Sequence, residues 1–151
     1  MPGVAPRVTP SASPAFGRFR ALVVDDERVI RSLLRRALAR SEFDVAEAGN
    51  GRSALEIFRP GLFGLVFGDV QMRFMGGIEL LRQLKVQQPD LPVVLVSGNF
   101  EPKSGPSDAD LEAYALLKKP LSIDTIQRTA LAAVNVRTEV TPRSRIGIVC
   151  C

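Results

Sequence analysis

The chain has 151 residues, 46% hydrophobic and 24% charged, which suits one globular domain with a buried core. It contains no histidine, so no Ser-His-Asp triad, Cys-His dyad, histidine metal ligand or phosphohistidine can be built from it. The net charge of +4 lies in the flanks. Fifteen basic and fifteen acidic residues cancel between Arg20 and Val134, leaving Arg7, Arg18, Arg137, Arg143 and Arg145 less Glu139, which argues against nucleic-acid binding by the domain itself.

Residues 1–18 carry Pro2, Pro6, Pro10 and Pro14 among small residues and read as a flexible, proline-rich lead without a signal-type apolar block. The domain is expected over residues 19–136. Its first strand is the apolar run Ala21–Val24, followed by a helix whose stripe is Val29, Ile30, Leu33, Leu34, Ala37 and Leu38. A weaker, alternating strand follows at Phe43–Glu47. Asn50 is then placed to cap a helix carrying Ala54, Leu55 and Phe58.

Phe63–Phe67 and Val93–Val96 read as strands buried on both faces, with a helix carrying Ile78, Leu81 and Leu84 between them. The next stretch, Gly98–Asp110, holds Pro102, Gly105 and Pro106 and leaves room only for a short helix over about Ser107–Glu112. The fifth strand is Tyr114–Leu117. The last helix, capped by Ser122, carries Ile123, Ile126, Ala130 and Val134. Residues 137–151 read as a disordered tail with no room for an output domain. They end in Cys150 and Cys151, too close to staple a fold and too few for a zinc site, which fits a reducing cytoplasm. No stretch reaches the ~20 apolar residues needed to span a bilayer.

Alternating strand and helix build right-handed βαβ crossovers, hence an α/β fold with a doubly wound, five-stranded parallel sheet. Ligands in such sheets bind beyond the carboxyl ends of the strands. There the chain places Asp25, Asp26 and Glu27 after the first strand, Asp69 after the third, Ser97 after the fourth, and Lys118 and Lys119 after the fifth. Crowded carboxylates need a cation, and hard oxygen ligands suit Mg2+. A carboxylate beside such an ion can act as a nucleophile toward phosphorus, with a lysine and a hydroxyl to hold the phosphoryl oxygens. Singly, each residue has a plainer role: Asp25 and Asp26 as acids at a helix N-terminus, Asp69 in a turn, Lys119 in solvent. The four Arg residues 31, 35, 36 and 40 are equally a solvated helix face or a docking face for an acidic partner.

Together, Val23-Val24-Asp25-Asp26-Glu27, Asp69-Val70-Gln71-Met72 running to Met75-Gly76-Gly77, Ser97 and Lys119-Pro120 resemble the receiver domain of two-component response regulators and hybrid histidine kinases. The resemblance covers about Arg20 to Val136 and implies a flavodoxin-like (βα)5 fold, here with a short or disrupted fourth helix. It implies Asp69 as phosphoacceptor. Mg2+ is then held by Asp25, Asp26, Asp69 and the Gln71 backbone carbonyl, and the phosphoryl group by Ser97 and Lys119. The implied donor is a histidine kinase or histidine phosphotransfer domain. The implied protein is not an enzyme in the ordinary sense, but a phosphoacceptor that catalyses its own phosphorylation and dephosphorylation. Three positions depart from the family pattern: Arg73 stands where proline is usual, Leu116 where an aromatic is usual, and Glu112 where glycine is common. Those departures leave a second reading, an atypical or pseudo-receiver that binds a partner regardless of phosphate. A small flavodoxin-like nucleotide or flavin binder is disfavoured, because acids rather than a Gly-rich loop follow the first strand.

Overall fold

The computed structural model describes residues 19–98, 113–138 and 147–148. Their elements, in order, are β1 (Arg20–Val24), α1 (Arg28–Arg40), β2 (Asp44–Ala48), α2 (Gly51–Ile57), β3 (Leu65–Asp69) and α3 (Gly77–Gln87). Then come β4 (Val93–Ser97), β5 (Ala115–Lys118), α4 (Ile123–Thr138) and β6 (Gly147–Ile148). The proline-rich lead, the short helix expected over Ser107–Glu112 and the two cysteines lie outside the described residues.

All strand pairs are parallel, in the order β2-β1-β3-β4-β5-β6. The five expected strands are present, and a two-residue sixth extends the sheet, pairing Ala115 with Gly147 and Leu116 with Ile148. The expectation of a disordered tail over 137–151 is therefore amended: α4 runs to Thr138, and Gly147–Ile148 form β6. The physical reason is the edge of β5, whose unpaired N–H and C=O groups are a template for any extended segment within reach.

Period-two alternation in β1 feeds a core on each face of the sheet. Ala21 and Val23 pack with Leu34, Ala37 and Leu38 of α1 and with Ile126, Ala130 and Ala133 of α4. Leu22 and Val24 face the other way, toward Ala54 of α2 and Leu80, Leu81 and Leu84 of α3. β3 and β4 are buried along their whole length, as their unbroken apolar runs require. Three strands start one or two residues later than their apolar runs. Phe43 and Phe63 are buried below the sheet, where Phe63 stacks on Phe58 at 5.7 Å, because burial there needs no strand pairing. Both expected caps form: Asn50 Oδ1 accepts the Ser53 N–H at 2.8 Å, and Ser122 Oγ accepts the Thr125 N–H at 3.1 Å.

The strand order reverses between β1 and β3, since β2 lies on one side of β1 and β3 on the other. A crevice opens at such a reversal, beyond the strand ends.

Candidate functional site

Parallel register sets the site. Val24 pairs with Gly68, Asp69 with Val96, and Ser97 with Lys118, so the ends of β1, β3, β4 and β5 lie side by side. The next residue past β1 is Asp25, and the next past β5 is Lys119. The Lys119 N–H donates to the Ser97 carbonyl at 2.9 Å, and the Lys119–Pro120 peptide is cis.

Lys119 reaches into the centre of this end. Its ammonium lies 3.4 Å from Asp69 Oδ2, 3.8 Å from Asp25 Oδ2 and 3.3 Å from Glu27 Oε1. Asp25 is wholly buried; its Oδ1 accepts the Glu27 N–H at 2.8 Å, while its Oδ2 has no hydrogen-bond partner. Asp69 is 5% exposed, and its Oδ1 accepts the Gln71 N–H at 3.2 Å. Asp26 stands on the exposed rim, where Oδ2 accepts the Arg73 N–H at 3.4 Å.

Carboxylate oxygens of Asp25, Asp26 and Asp69 come within 4.8 Å of one another. Beside them is an open cleft of about 400 Å³ lined by Asp26, Glu27, Asp69, Gln71, Gly98 and Lys119.

The electrostatics follow from this crowding. Burial, with the charge of Asp69 and Glu27 added, lifts Asp25 from 3.8 to about 6, although the Glu27 N–H and Lys119 pull the other way. Burial likewise raises Asp69, against the charge of Lys119 and the Gln71 N–H. Burial alone would lower Lys119, but the carboxylates of Asp25 and Asp69 and the bonds to Glu27 and Asp69 outweigh it and hold its pKa above the ordinary value. A buried carboxylate oxygen without a donor, two acids held above their usual range and a third within 4.8 Å form a donor set that fits a hard divalent cation.

Asp25, Asp26, Asp69, Gln71 and Lys119 are thus brought together as the sequence implies. Ser97 is placed at the same end but is buried and is not part of the cleft lining, where Gly98 appears instead. Asp25 and Asp26 stand just before α1, whose N-cap is Glu27 without a side-chain cap, and Asp25 Oδ1 takes the N–H of that N-cap residue while its other oxygen faces the site. Glu27 is the residue that sequence reasoning leaves without a role: it lines the cleft and holds Lys119. Its only signal is adjacency to the acidic pair.

Residues 21–131 match the response regulator receiver domain family. The chain belongs to that family. The transcriptional regulatory protein ZraR of Escherichia coli K12 is 34% identical over 134 residues, which cover 85% of this chain and 30% of ZraR. This receiver chain therefore spans about a third of that relative's length. The crystal structure of the receiver domain of NtrX from Brucella abortus is 32% identical, with a TM-score of 0.69 over 76% of this chain and 98% of that one. A response regulator receiver domain protein from Clostridium thermocellum, 22% identical, shares the fold with a TM-score of 0.73 over 80% of this chain and 98% of its own. No described helix of the receiver is long and apolar enough to cross a membrane.

Proposed function

We propose that this receiver accepts a phosphoryl group on Asp69 from a phosphohistidine on a partner kinase or phosphotransfer protein, and signals by contact with other proteins in the cytoplasm. The observation that carries the reading is the position of the Asp69 carboxylate: at the end of β3, opening on the cleft, with an ammonium 3.4 Å from one oxygen and a backbone N–H on the other. The donor is another protein or domain, because the chain has no histidine.

The step balances simply. An Asp69 oxygen forms the new bond to phosphorus, the P–N bond to the donor imidazole breaks, and its electron pair returns to the ring. Lys119 supplies positive charge for the phosphoryl oxygens, and Ser97 a hydroxyl at the adjacent strand end. Mg2+ would be held by Asp25, Asp26, Asp69 and the Gln71 carbonyl, and would supply neutralising charge for incoming phosphate oxygens. Burial raises the pKa of both Asp25 and Asp69, and a bound cation would favour their ionised forms in return. A binding module indifferent to phosphate would need none of this convergence.

Mass spectrometry after incubation with acetyl phosphate and Mg2+ tests the reading. One acid- and base-labile phosphoryl group is expected on the wild type and none on Asp69→Asn. A full label on that variant would overturn the assignment.

A further inference from the structure

The loop from β3 to α3 holds a strained residue that the phosphoacceptor reading does not use. Phe74 has φ of +67°, a region that a bulky L-residue rarely adopts. The Met75 N–H donates to the Arg73 carbonyl at 2.7 Å, so Phe74 is the centre of a three-residue turn of the rare positive-φ kind. The residue is 83% exposed, so its burial offers little to offset the strain.

The rest of the loop is fixed. Met72 and Met75 pack on the core, and the Gly77 N–H donates to the Val70 carbonyl at 3.1 Å. A Cβ on Gly76 would stand 2.7 Å from the Val70 oxygen, and one on Gly77 2.5 Å from the Asp69 oxygen, so the loop's return is pressed against the acceptor's own backbone. Arg73 and Phe74 are the part left outward. This tip adjoins the cleft, since the N–H of Arg73, one residue before Phe74, donates to Asp26 Oδ2 in the cleft wall.

Every residue lining the cleft is polar or glycine, so nothing in the wall itself excludes water. Resting on the reading of Asp69 as acceptor, we infer that Phe74 is a shielding residue that sets the lifetime of the phosphoryl group: the strained tip relaxes over the filled cleft and keeps water from phosphorus. The reaction it slows is hydrolysis. A water oxygen bonds to phosphorus, the bond from phosphorus to the Asp69 oxygen breaks with its electrons returning to the carboxylate, and a water proton leaves as orthophosphate departs.

Phe74→Gly is the decisive variant, because glycine adopts positive φ without strain and the fold is kept. Phe74→Leu retains an apolar shield. The full chain is labelled with acetyl phosphate and Mg2+, the donor is removed, and loss of the label is followed. The expected result is an unchanged labelling rate, with hydrolysis about five- to tenfold faster in Phe74→Gly and near wild type in Phe74→Leu. In Phe74→Trp, the chain's sole tryptophan, adding beryllium fluoride with Mg2+ should shift the emission to the blue as the ring leaves water. Equal half-lives in the Gly variant, or a tryptophan that stays as wet with the mimic as without it, would overturn the shield while leaving the acceptor reading intact. A wild-type chain that takes no label would overturn both.

Discussion

Replacing Asp25 with asparagine should stabilise the metal-free receiver near neutral pH. The side chain is fully enclosed, one oxygen has no hydrogen-bond partner, and the Lys119 ammonium stands 3.8 Å from that oxygen. Burial, with neighbouring carboxylates, raises its pKa from 3.8 to about 6. A carboxyl whose folded pKa lies above the unfolded value holds its proton more tightly in the folded state. Stability is therefore gained as pH falls through 6 toward 3.8, and lost as pH rises through that window. At about 1.36 kcal/mol per pH unit, the ionised group costs about 2–3 kcal/mol above pH ~7. Asparagine keeps the oxygen that accepts the Glu27 N–H and removes the charge. Asp25→Asn should thus add about 2 kcal/mol of unfolding free energy at pH ~7.5 and almost nothing at pH ~4. Urea denaturation over that pH range, with and without Mg2+, is the assay. The metal should stabilise the wild type more than the variant, because a ligand that binds only the folded state stabilises it in proportion to its affinity. A variant no more stable than wild type at neutral pH, or a difference that does not shrink on acidification, would refute the burial argument.

Lys119→Gln should slow labelling by acetyl phosphate and destabilise the chain by about 1–2 kcal/mol near neutral pH, with less effect in acid, since it leaves Asp25 and Asp69 without their common cation. Denaturation at two pH values separates that loss from a packing defect, which would be independent of pH. Gly77→Ala puts a Cβ 2.5 Å from the Asp69 carbonyl oxygen, so about 1–3 kcal/mol of stability and most of the labelling rate should be lost together. Thermal melts that match wild type would show that the loop gives way freely. Ser122→Ala removes the oxygen that accepts the Thr125 N–H at 3.1 Å and should cost about 1 kcal/mol, with phosphorylation unaffected.

What could be read from the residues, and what could not, divides along physical lines. β1, β3 and β4 were legible because a strand buried on both faces must be an unbroken apolar run, and Ala21–Val24 and Val93–Val96 are such runs. Once their parallel order is granted, the strand ends bring Asp25, Asp69 and Lys119 together with no further information. Strand-end placement does not specify exposure, which is why Ser97 is near the cleft but outside its lining. Glu27 on Lys119 depends on a rotamer, and the Arg73 N–H on Asp26 depends on a loop path that proline, without an N–H, could not have supplied. The positive φ at Phe74 has no glycine or asparagine to announce it. β6 is two residues long, too short for alternation to show, and its pairing depends on the open edge of β5 rather than on its own pattern.

Charge balance at the strand ends links the acceptor to the rest of the sheet. Among the described residues Lys119 serves Glu27, Asp69 and Asp25 at once, and Asp26 adds a further acid on the rim beside Asp25 and Asp69. Phosphorylation of Asp69 would change this arrangement in a definite direction. The acceptor's own carboxylate charge would be converted to a neutral acyl oxygen, and the negative charge would move outward onto the phosphoryl group. The ammonium now divided among three acids would be drawn toward that group and away from Asp25. The ammonium can follow by rotation of its flexible stem, while the Lys119 backbone N–H stays bonded to the Ser97 carbonyl at the end of β4. Among the described residues, the backbone bond from Lys119 to Ser97 ties this end of β5 to β4, and Leu116 pairs with Leu95 further along the same two strands.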